Sequence, residues 1–211
     1  MSVRLAADLR RTQLIDAGLA VAAESGISAV TVRAVADHAS VSLGAVHCCF
    51  ENKEALVTAM GASLVHELGS AVSIALHHAA EPSGLRCVGP RALREVLHRG
   101  MAALWTVVEA TADRQLLTYE ITAYSVRSAG AGPGIGALQY RVMDTATERF
   151  LDAAAEASSM RWTEPMGSLT RSALATIDGV VLRWLVDRDT LAVIAELDDL
   201  AARIATKAVS V

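Results

Sequence analysis

Cysteine is scarce: Cys48, Cys49 and Cys87 are the only three in 211 residues. Their number is odd and they lack paired spacing, which argues against a disulfide framework and predicts reduced thiols in a cytoplasmic chain. No alternating run of β-branched residues, internal repeat or low-complexity tract occurs, so a sheet-built or repetitive architecture is not expected. Although 53% of the residues are hydrophobic, charge breaks each long apolar stretch, at His66 and Glu67 or at Asp178, Arg183 and Asp187. No membrane span is expected. Arg4, Asp8, Arg10 and Arg11 precede any apolar segment, so no signal peptide is expected either. A cysteine or histidine nucleophile with a base and an orienting acid at motif spacing is also missing, and neither catalytic residues nor enzyme activity are expected.

What the chain does have is helical patterning throughout, with breaks at the proline- and glycine-bearing segments Glu81 to Pro90 and Ser128 to Gly136. The periodicity predicts helices over Asp8–Glu24, with Gly26 as a left-handed cap, then Lys53–Ala79, Arg91–Ala110 and Asp113–Arg127. Three more follow over Ala137–Ala157, Pro165–Asp187 and Thr190–Lys207, with Thr190 as an N-cap. Between the first and the long second of these lies TVRAVADHASVSLGAVHCCFENKEAL, Thr31 to Leu56. Thr31 caps a short helix with Val32, Val35, Ala36 and Ala39 on one face; Ser40 and Val41 turn the chain. Ser42 caps a second helix whose Ala45 and Val46 point inward, and Ala36 is small enough for the two to cross closely. That is a DNA-binding helix-turn-helix pattern.

From Arg11 to about Met60, RTQLIDAGLAVAAESGISAVTVRAVADHASVSLGAVHCCFENKEAL runs without a gap in the register of the TetR family of bacterial one-component transcriptional regulators, which the chain resembles. The resemblance implies an all-α fold, with an N-terminal three-helix helix-turn-helix domain, here residues 1–56, and a C-terminal helical ligand-binding and dimerisation domain, here residues 57–211. It departs from the family pattern at His47, Cys48 and Cys49, where Tyr, an aromatic residue and His are usual. Ser40 stands for the usual turn glycine, and Ala22 for the usual core aromatic.

Excess positive charge is also missing. The net charge is −4, and through Leu56 five basic residues face six acidic ones, a balance of −1. Few phosphate contacts are therefore expected, with a moderate salt dependence of DNA binding. Arg33, one turn into the first motif helix, is the expected base reader, since its fork can reach guanine; otherwise it is a solvated surface arginine. Thr31, Ser42 and Lys53 are donors at helix starts that either meet phosphate or serve only as caps and surface charge. Leu43, Gly44 and Ala45 form a small tip suited to thymine methyl groups, and His47 is its one polar reader; otherwise it is an exposed histidine with no role. His47, Cys48 and Cys49 point about 100° apart in succession, so they do not converge on an ion and no metal or other cofactor is expected.

In the C-terminal part, Met101, Leu104, Trp105, Val108, Leu116, Tyr119, Ile121 and Tyr124 concentrate large side chains in a chain with 4% aromatic residues. Met101, Trp105, Tyr119 and Tyr124 are the expected lining of a pocket for a small apolar or aromatic ligand, with Glu120 as a polar orienting group; the alternative is plain core. The alanine-rich segments Ala137–Ala157 and Pro165–Asp187, with Leu169, Ala173, Thr176, Val180, Arg183 and Trp184 at helical steps, are the candidates for a homodimer interface, the alternative again being an intramolecular core. The expected function is a ligand-responsive regulator, a repressor that binds a palindromic double-stranded DNA operator as a homodimer. The alternative is a ligand-binding protein of the same fold with weakened or lost DNA binding.

Overall fold

A computed structural model describes residues 2–81, 88–128 and 134–211. Cys87 and most of the two expected loops lie outside them. Among the described residues there are nine α-helices, a 3-10 turn and two short strands: α1 (Ser2–Ser25), the turn (Ile27–Ala29), α2 (Val32–His38), α3 (Leu43–Cys49), α4 (Lys53–Ala80), α5 (Pro90–Ala110), α6 (Ala112–Ser128), α7 (Ile135–Ser158), β1 (Met160–Trp162), α8 (Met166–Asp187), α9 (Thr190–Ala205) and β2 (Ala208–Ser210). The all-α class read from the sequence is the class observed.

Compactness divides the chain into Met1–Glu67 with Asp113–Gln139, and Leu68–Ala112 with Tyr140–Val211. The first unit therefore holds all of residues 1–56 and adds the start of α4, α6 and the start of α7. Its core joins Leu14, Val30, Val35, Ala36, Val46, Phe50, Leu56, Met60, Leu117 and Ile121. Small residues let these helices close. A Cβ on Gly61 would sit 2.6 Å from the Ile135 side chain and 3.0 Å from that of Ile121, and one on Gly18 2.8 Å from Met60 Sδ. The short motif helices cannot bury their apolar faces alone, and α6 supplies part of the cover.

In the second unit α5 packs most extensively on α9, which also packs on α8. His98 Nδ1 meets Asp198 Oδ1 at 2.7 Å, and Thr190 Oγ1 donates to Glu109 Oε1 at 3.0 Å. A Cβ on Gly100 would fall 2.0 Å from the Phe150 ring, so α5 accepts only glycine there without repacking. Leu169, Ala173 and Trp184, part of the stripe proposed for dimerisation, are buried within this unit. The exposed apolar residues of α8 and α9 are instead Leu182, Val186, Leu191 and Ile194.

Two local expectations are corrected. The last helix ends at Ala205, not Lys207, because the chain turns into β2, which pairs antiparallel with β1 in the register Met160↔Ser210, Arg161↔Val209 and Trp162↔Ala208. The cap of α9 is Asp189, whose side chain accepts from Ala192 N at 3.0 Å; Thr190 instead accepts from Trp184 Nε1 at 3.2 Å. By length and composition α4 is apolar enough to cross a bilayer, with a mean hydropathy of 1.3 over its most apolar window. Its Leu56, Val57, Met60, Leu64 and Leu68 are buried in the protein, and 33% of that window is buried in all.

Candidate nucleic-acid interface

The backbone of Thr31 is extended and its hydroxyl accepts from Ala34 N at 3.0 Å. Ser42 repeats the arrangement at α3, accepting from Ala45 N at 3.2 Å. Both residues are thus N-caps, the part of their expected roles that the geometry displays. Between the helices the chain reverses by a Schellman motif, with Ser40 N bonded to Asp37 O at 3.2 Å and Val41 N to Ala36 O at 3.0 Å. Ser40 has φ of 54°, the left-handed conformation that glycine adopts without steric cost.

Helix α1 holds both motif helices at their carbonyl ends. Gln13 Nε2 donates to Ala39 O at 3.3 Å. Arg11 Nη1 donates to Cys49 O at 2.8 Å, and its guanidinium lies 4.4 Å above the Phe50 ring. A cation at a helix C-terminus compensates its negative end, so Arg11 anchors α3 from behind. Asn52 Oδ1 accepts from Ala55 N at 2.8 Å and starts α4. Sequence reading missed both roles; Asn before Lys53 and Glu54 was the available signal for the cap, whereas nothing local marks the contact of Arg11 with residue 49.

On the outer surface, Thr31, Arg33, Ser42, Leu43, Gly44 and His47 are exposed, while Ala45 and Lys53 are half-buried. Leu43 is 47% exposed at the first turn of the recognition helix α3. Lys53 Nζ donates to Ser28 O at 3.4 Å and lies 5.7 Å above the Tyr124 ring. Of the cations in this part of the chain, Arg11 and Lys53 are therefore engaged by the protein itself, and Arg33 is the one that the motif presents outward. Among the described residues no group of three or more His, Cys, Asp or Glu side chains is placed to hold a metal ion.

The five residues expected to line a ligand pocket are divided between the two units. Tyr119, Glu120 and Tyr124 belong to the first, and two of them grip the helix-turn-helix from α6. Glu120 Oε2 accepts from Ile27 N at 2.7 Å. This follows Gly26, whose φ of 78° and ψ of 166° are open to glycine and are not those of the left-handed cap expected from the sequence. Tyr124 donates through its hydroxyl to Glu54 Oε1 at 3.2 Å. Met101 and Trp105 belong to the second unit and are each 6% exposed. The Trp105 ring meets Trp184 edge to face, with centroids 4.9 Å apart and planes at 86°.

Residues 14–60 match the family model of the bacterial regulatory proteins of the tetR family. Over 178 residues, 84% of each chain, the sequence is 27% identical to the HTH-type nicotine-responsive transcriptional repressor HdnoR of Paenarthrobacter nicotinovorans. The fold is similar to that of a transcriptional regulator from Rhodococcus sp. Rha1, with a TM-score of 0.67 at 23% identity, covering 95% of this chain and 98% of that one. It is also similar to SmeT, the repressor of the Stenotrophomonas maltophilia multidrug efflux pump SmeDEF, with a TM-score of 0.60 at 17% identity, covering 95% and 90%.

Proposed function

This chain is a member of the TetR family of bacterial transcriptional regulators, and from that premise we propose that it is a ligand-responsive repressor that binds a palindromic operator as a homodimer in the cytoplasm. The observation that carries the reading is the motif itself: two capped helices, held from behind by Arg11 and Gln13, that leave Arg33, Leu43, Gly44 and His47 facing outward. In this reading residues 1–56 bind DNA. Arg33 reads a guanine, His47 and the Leu43–Ala45 tip meet neighbouring bases, and Thr31, Ser42 and Lys53 approach phosphates from helix starts.

Residues 57–211 sense a small apolar or aromatic molecule and join two protomers. The similarity to a repressor named as nicotine-responsive, along 84% of both chains, supports the sensing role. Met101 and Trp105 are the residues we assign to the ligand. Glu120 and Tyr124, on the same helix as Tyr119, serve the response, because they tie α6 to Ile27 and Glu54. A ligand that displaces α6 would loosen the turn in front of Thr31, and by linkage the operator would weaken ligand binding by the same factor. The apolar face of Leu182, Val186, Leu191 and Ile194 supplies a surface for a four-helix contact between copies.

The second reading, a ligand-binding protein of this fold with little DNA affinity, draws on the engaged Arg11 and Lys53 and on the net charge of −4. Footprinting of the purified protein on DNA flanking its own gene decides between the two. Protection of a palindrome is expected; no protection at micromolar protein would favour the second reading.

A further inference from the structure

The three tryptophans of the chain differ in one respect. Trp162 Nε1 donates to Leu151 O at 3.3 Å and Trp184 Nε1 to Thr190 Oγ1 at 3.2 Å. Trp105 Nε1 is buried without a hydrogen-bond partner. A buried indole N–H almost always finds an acceptor, because leaving it unmet forfeits its hydration with nothing in return. The surroundings supply none. Met101 and Val108, one turn to either side on α5, are buried and apolar, as is Val181, one turn before Trp184 on α8. Glu109, the nearest carboxylate along α5, accepts from Thr190.

We propose that the Trp105 indole N–H is the donor of a ligand site in the second unit, and that the ligand is an uncharged, largely apolar molecule carrying one hydrogen-bond acceptor, a ring nitrogen or a carbonyl oxygen. A purely hydrocarbon ligand would leave the N–H unmet. A carboxylate would bring a charge among the buried, apolar Met101, Val108 and Val181 at a large desolvation cost. The proposal rests on the ligand-sensing reading above and narrows it to a chemical class.

The probes are quinoline and naphthalene, which share a shape and differ in one ring nitrogen. With indole-15N-labelled full-length protein, the Trp105 indole proton is assigned by its loss in Trp105→Phe. If that variant does not fold, Trp162→Phe and Trp184→Phe assign it by elimination. Quinoline is expected to move the Trp105 proton downfield, as a new hydrogen bond does, while naphthalene does not. Calorimetry should show Trp105→Phe weakening quinoline by about 3- to 10-fold and naphthalene less. The proposal is overturned if quinoline binds without moving that proton downfield, or if neither probe binds at millimolar concentration. It is also overturned if the proton lies upfield in the free protein and stays there, since the Trp184 face then satisfies it. Quinoline that moves the proton without changing operator affinity would leave this site standing and remove the ligand-responsive reading. Release from the operator without the shift would do the reverse.

Discussion

Ser40 shows how one residue can depart from a pattern and still keep its geometry. The motif turn needs a left-handed residue, and a serine with φ of 54° supplies it. Ser40→Gly should therefore stabilise the protein by roughly 0.5–1 kcal/mol, read as a raised denaturant midpoint with unchanged slope, because the steric cost is relieved and the hydrogen bonds of the turn remain. An unchanged or lowered midpoint would mean that the lost entropy of the glycine chain outweighs that relief. The turn, the two hydroxyl caps and the outward position of Arg33 were legible because each depends on residues no more than five positions away. Arg11 was not. As a sequence feature it was one basic residue among the five through Leu56, whereas its guanidinium reaches a carbonyl 38 residues on.

At the scale of elements, periodicity located all nine helices to within a few residues, apart from the longer start of α1. It could not show β1 and β2, since three-residue strands are too short to display an alternation, and it carried the last helix past its end. Nor could it show what α6 does. Large side chains at helical spacing look alike whether they line a pocket or cover a neighbouring element, and the bond from Glu120 to Ile27 spans 93 positions. The expected consequence is specific. Glu120→Ala should leave the Ile27 N–H without its charged acceptor and destabilise the first unit by about 1.5–3 kcal/mol, with Ile27 exchanging its amide proton faster; Glu120→Gln, which keeps a carbonyl acceptor, should recover part of this. Equal Ile27 exchange in all three proteins would show that α6 does not hold the turn.

For the whole molecule, the apolar face of α8 and α9 and the small number of outward cations set the expectations. Val186 and Leu191 are each 80% exposed, and burying that face against a second copy is the dimer that we propose. Placing a charge at Leu182 and Ile194 together, as Asp, should yield a monomer in sedimentation at micromolar concentration while helicity is kept; a dimer that survives would place the interface elsewhere. With Arg11 and Lys53 held by carbonyls, each protomer is expected to neutralise only two or three phosphates. The logarithmic salt dependence of operator affinity should then have a slope of roughly −4 to −5. A slope near −10 would require a basic surface beyond the cations that the motif presents.

The central claim, that the capped α2–α3 pair reads DNA sequence, is tested most directly by fluorescence anisotropy of wild type and Arg33→Ala on two duplexes at one salt concentration: the footprinted palindrome and a scrambled version of it. Wild type should prefer the palindrome. Arg33→Ala should lose about 1–3 kcal/mol on the palindrome, roughly 5- to 150-fold, with little change on the scrambled duplex, because a base contact is removed and phosphate contacts are kept. Equal affinity of the wild type for both duplexes, or an Arg33→Ala protein that still prefers the palindrome by the full wild-type ratio, would contradict the account.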